Sequence, residues 1–82
     1  MKNVMIKIAV KGLKKASSRR ELSAAYADLF SCADSTVFGQ DYVDYILARI
    51  VEIDDERISL SALQAQARNI ACVVEIMTKK AA

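Results

Sequence analysis

From Leu60 onward, Leu60, Leu63, Ala67, Ile70, Val74 and Met77 recur at alternating steps of three and four. That is the a/d spacing of a helix packed along another helix, and it is the clearest pattern in the chain. Ser59 or Ser61 can cap its start, the latter with Gln64 three positions on as a capping box. Lys79 and Lys80 lie where a helix C-terminus favours cations. Fewer than three heptads are present, which predicts a bundle rather than an extended coiled coil.

A second helical pattern runs from about Gln40 to Arg57. On a helical wheel Val43, Ile46, Leu47, Ile50, Val51 and Ile53 fill one broad apolar arc, while Asp41, Asp44, Glu52 and Asp55 form an acidic ridge opposite, with Tyr45 among them. The β-branched residues of the arc lower helix propensity, but their spacing does not alternate with period two, so packing is expected to prevail. Asp54-Asp55-Glu56 places negative charge where a helix dipole disfavours it, which predicts a tight connection between Asp54 and Ser61.

Upstream, Ser18-Arg19-Arg20-Glu21 reads as a capping box in front of Leu22, Ala25, Tyr26, Leu29, Phe30 and Ala33, giving a helix from about Arg19 to Cys32 followed by a turn over Ala33 to Gly39. Residues 3–10 fit two templates. As a strand, Val4, Ile6, Ile8 and Val10 share a face; as a helix, Met5, Ala9, Leu13 and Ala16 oppose a stripe of Lys7, Lys11 and Lys14. In the strand form, a basic strand followed by Ser18-Arg19-Arg20-Glu21-Leu22 resembles the ribbon-helix-helix repressors, and the resemblance implies paired strands entering a major groove. It covers the first thirty residues and departs at Lys11 to Ser17, which is too short for the helix that family places there. No second strand pattern is present to pair with the first, so the helix is the preferred reading.

Glycine is limited to Gly12 and Gly39 and proline is absent, a composition that favours uninterrupted helices. The expected fold is all-α, a compact bundle of three to four helices in one domain over 1–82. A chain of 82 residues buries only about 60 to 70% of its unfolded surface, and the apolar arcs of the last two helices exceed what a small bundle covers. Self-association, a homodimer in the simplest case, or a protein partner is the expected remedy. Cys32 and Cys72 lie far apart with no histidine in the chain, which argues against a disulfide framework or a zinc site and for two small apolar residues in a reducing cytoplasm. Val4 to Val10 is too short and too interrupted for a secretory signal or membrane span.

Charge sharpens the picture. Lys2, Lys7, Lys11, Lys14, Lys15, Arg19 and Arg20 precede the first carboxylate, Glu21, and acidic residues then dominate to Ile58, so the net charge of +2 conceals a strong asymmetry. Lys7, Lys11, Lys14, Lys15, Arg19 and Arg20 form a candidate surface for anions or nucleic acid. No aromatic residue interleaves them, so base stacking is not indicated. Asp41, Asp44, Tyr45, Glu52 and Asp55 form a candidate surface for a protein partner. The serines lack a base, no phosphate-binding loop is present and the calcium-loop pattern is missing, so neither a catalytic residue nor a metal or cofactor site is expected.

Taken together, the chain reads as a small cytoplasmic regulatory or inhibitory protein, of a size that phages and mobile elements encode, which acts by binding a larger protein. The alternative is a nucleic-acid-binding accessory protein or transcriptional regulator working through its basic N-terminal segment.

Overall fold

Four helices make up most of the computed structural model, which describes residues 2–32 and 38–81: α1 (Lys2–Lys15), α2 (Arg19–Cys32), α3 (Gln40–Glu52) and α4 (Leu60–Ala81). The fold is the expected all-α bundle. Residues 3–10 belong to α1, so the strand form and the ribbon-helix-helix resemblance it carried are both overturned. The outcome follows from local chemistry: Ile6, Ala9, Val10, Leu13 and Ala16 are buried at helical spacing. Met5, expected on the inner face, is 50% exposed, because the buried stripe is centred on Ile6 and Ala9.

Helix α1 is the centre of the bundle, making its most extensive contacts with α2 and α4. Ala16, Ser17 and Ser18 alone link α1 to α2, the short connection that makes neighbouring helices antiparallel. At Gly12 the two helices come close: a β-carbon there would sit 3.3 Å from the Ala25 side chain. The core is continuous and apolar, with Leu13, Leu22, Tyr26, Leu29, Ile46, Leu63, Ile70 and Val74 the largest side chains fully enclosed. Each such aliphatic residue contributes about 1.5–3 kcal/mol by leaving water. The Cα radius of gyration, 11.9 Å, matches the roughly 12 Å expected of a compact chain of this length.

The helix boundaries have identifiable causes. At α2, Ser18 Oγ accepts the Glu21 N–H at 3.1 Å, while Glu21 Oε2 reaches back to the Ser17 N–H at 2.6 Å and the Ser17 hydroxyl at 2.7 Å. The capping box therefore closes one residue further out than the motif suggests. At α4 the cap is Ser59, whose hydroxyl accepts the Ala62 N–H at 3.2 Å. Gln64, expected to complete a box with Ser61, instead donates to the Ala16 carbonyl at 3.0 Å and ties α4 to the α1–α2 connection.

Helix α3 starts at Gly39, whose φ of 81° lies in the left-handed region open to glycine. Phe38, placed in a turn by the sequence pattern, is buried; the rest of that turn falls on 33–37, outside the described residues. The expected run to Arg57 is cut short at Glu52. Ile53, Asp55 and Ile58 donate to the Ile50, Glu52 and Asp55 carbonyls at 3.1, 3.0 and 3.1 Å, tight turns that replace the helical ladder, and Asp55 Oδ1 accepts the Arg57 N–H at 3.0 Å. Both cysteines are free; Cys32 is buried as expected but Cys72 is exposed. No helix of the described residues is long and apolar enough to cross a membrane.

Candidate protein-docking face

Helix α3 carries the acidic ridge and is the least embedded of the four, with Ile46 its one fully buried residue. Its inner edge is aromatic. Tyr42 meets Phe38 edge-on at 6.1 Å and stacks on Tyr45 at 5.7 Å between ring centres, and the Arg49 guanidinium lies 5.0 Å from the Tyr45 ring centre. Burial, and secondarily the neighbouring Tyr45, raises the Tyr42 phenol above its ordinary value. Tyr26 of α2 is enclosed within electrostatic reach of the same group, and burial pushes its pKa up to about 12, with smaller contributions from Tyr45, Tyr42 and Glu52 opposed by Arg49.

The acidic ridge divides in two. Glu52 is half-buried and bonds to Arg49 Nη2 at 3.0 Å. Asp55 is held by Arg57 through paired contacts of 3.0 and 2.9 Å, which lower its pKa. Asp41 and Asp44 are exposed, and Tyr45 is 41% exposed beside them. The ridge expected to run the whole helix is therefore open to a partner mainly at Asp41, Asp44 and Tyr45. Leu47 and Val51, assigned by the wheel to the core, are instead 47% and 77% exposed. They continue the line that starts at Asp44, at steps of three and four. The polar residues sharing that line, Gln40 and Asp44, were the sequence signal that it faces outward.

Lys7, Lys11, Lys14 and Lys79 line a groove of about 500 Å³ between α1 and α4, over Ile6 and Val10. Lys14 is ion-paired with Glu75; this contact raises the Lys14 pKa and lowers that of Glu75. Lys15 and Arg20 are exposed. Arg19, expected on the same basic surface, is directed elsewhere: its guanidinium donates to the carbonyls of Ile53 at 2.6 Å, Asp55 at 3.2 Å, and Ile58. Among the described residues, no salt bridge joins the lysine stripe to the acidic ridge.

This geometry offers two separate charged surfaces, each on a helix that also carries exposed apolar side chains. Among the described residues, no three His, Cys, Asp or Glu side chains converge in a metal-binding arrangement. Comparison with protein-family models, curated proteins and solved structures finds no match to this chain.

Proposed function

We propose that the protein is a non-catalytic regulatory or inhibitory binding module that docks on a larger protein through the outer face of α3. The observation that supports this is the placement of Leu47 and Val51 in solvent on the same line as Asp44. Apolar side chains beside carboxylates on a weakly embedded helix suit a partner that presents an apolar strip bordered by basic residues. Tyr45, held by Tyr42 and Arg49, supplies a rigid aromatic edge of the kind that anchors interfaces.

The test is affinity capture from a lysate of the source cells with wild type and with the Asp44→Lys/Leu47→Lys double variant. The retained protein is identified by mass spectrometry, purified and titrated against both forms. Binding is expected to weaken at least about tenfold in the double variant, the scale of one hot-spot contact. Equal binding by both forms would remove α3 from the interface.

The second reading, a nucleic-acid accessory protein, draws on the convergence of Lys7, Lys11, Lys14 and Lys79 on one groove. It predicts duplex binding that falls steeply between about 50 and 200 mM salt and is lost on Lys7→Gln/Lys11→Gln substitution. Absence of any shift in a retardation assay at low salt would exclude it.

A further inference from the structure

Two solvent-facing lines on this chain mirror each other. Along α1, Val4, Ile8, Lys11 and Lys15 follow steps of four, three and four; along α3 read backwards, Val51, Leu47, Asp44 and Gln40 follow the same steps. All eight positions are exposed, with Val4 and Ile8 at 61% and 60% and Val51 and Leu47 at 77% and 47%. Residues at these intervals form one ridge on a helix, so two such ridges can meet along their whole length when the helices run antiparallel.

Antiparallel alignment gives each position a matching neighbour. Val4 faces Val51, Ile8 faces Leu47, Lys11 faces Asp44 and Lys15 faces Gln40. Parallel alignment instead sets Ile8 against Asp44 and Lys11 against Leu47. Gln40 Nε2 already donates to Asp44 Oδ1 at 2.9 Å within α3, which leaves the Gln40 carbonyl oxygen and Asp44 Oδ2 as acceptors for the two ammonium groups. Within one molecule the two lines are not joined by a salt bridge among the described residues.

We propose that the protein self-associates through this contact, α1 of one copy lying antiparallel on α3 of a second. The occupant is a second copy because the chain itself carries both halves, with the same spacing, reversed order and opposite charge. The contact joins different surfaces of two copies, so it repeats either twice within a closed pair or once per step along a row of copies. The proposal rests on the reading of α3 as a docking face and names one partner for it. Self-association then competes with any larger protein for the same residues, and the pool of free α3 depends on protein concentration.

Sedimentation velocity across roughly 5 to 500 μM, the range in which a contact of this modest kind is populated, tests the proposal with three chains: wild type, Lys11→Glu and Asp44→Lys. Both substituted positions are exposed, and far-ultraviolet circular dichroism checks that all three chains are folded. Wild type is expected to self-associate. Each variant alone places like charges opposite each other at every contact, weakening association by about tenfold or more. In the mixture, a contact between unlike chains either has its charges exchanged but still opposite or sets the native Lys11 against the native Asp44. The mixture is therefore expected to associate as wild type does. A wild type that stays monomeric throughout, or a mixture no better associated than its components, would overturn the proposal. The Lys11→Glu chain keeps α3 intact, so its capture of a larger partner tests the docking role separately from self-association.

Discussion

Arg19, the first residue of α2, donates through Nη1 to the backbone carbonyl of Ile53 at 2.6 Å, across 34 positions of sequence. The same guanidinium reaches the carbonyls of Asp55 and Ile58, so one side chain gathers three carbonyls of the turns that follow α3. The planar fork of arginine suits this role and lysine does not. Arg19→Met is expected to lower stability by about 1.5–3 kcal/mol, the range for losing hydrogen bonds to a charged group. Arg19→Lys should recover only part of it. Arg20→Met, at an exposed neighbour, should leave the stability from urea melts within about 0.5 kcal/mol of wild type.

The cap of α2 is expected to make the protein sensitive to acid. Hydrogen bonds from the Ser17 hydroxyl and N–H lower the Glu21 pKa, and Asp55 and Glu75 are lowered by Arg57 and Lys14. The unfolded chain therefore takes up protons first as pH falls. The contribution of these carboxylates is complete above their ordinary values near pH 4 and fades as pH drops through the lowered folded values. Urea melts at several pH values should show this decline, and Glu21→Gln should flatten it. At neutral pH, Ser18→Ala should cost about 1 kcal/mol through loss of the cap itself.

Alkaline pH is expected to act through Tyr26. Its pKa of about 12 in the folded protein lies above the value near 10 of an exposed phenol, so its contribution is complete below about pH 10 and is lost as pH rises toward 12. The tyrosinate absorbance should show a group titrating near 12 whose ionisation coincides with loss of helical circular dichroism. Tyr26→Phe should shift alkaline unfolding to higher pH, an opposite result to that of a simple cavity-forming substitution.

The Arg49–Glu52 pair calls for a double-variant cycle. Arg49 Nε and Glu52 Oε2 are buried without a hydrogen-bond partner among the described residues, so the pair contributes little net stability although breaking it exposes a penalty. Arg49→Met alone is expected to destabilise by about 1–3 kcal/mol because Glu52 keeps a half-buried charge. Adding Glu52→Leu should restore most of the loss, and strict additivity of the two changes would contradict this account.

Helical periodicity made the fold legible because three of the four helices bury a stripe at the expected spacing. Leu63, Ala67, Ile70 and Val74 are buried as their steps predict. The end of α3 was less legible, since the Arg19 clamp that stabilises the 53–58 turns joins residues distant in sequence. For the same reason Arg19 looked like part of a basic surface. Leu47 and Val51 were assigned to the core because a wheel records which residues are apolar, whereas burial depends on whether a neighbouring helix reaches them. Here α3 packs on the bundle through Ile46 with Val43 and Ile50 half-buried beside it, and only the edge of the arc at Leu47 and Val51 is left open, on the line that the polar Gln40 and Asp44 share.

The central position of α1 bears on the order in which the chain can assemble. Its first partner, α2, follows at once and can form a hairpin with it early, but its second, α4, arrives only after α3 and the 53–58 turns. An α1–α2 hairpin formed first therefore keeps the apolar side that α1 turns to α4 uncovered until the last helix docks. That interval is when a folding chain is most exposed to chaperones or to another copy of itself.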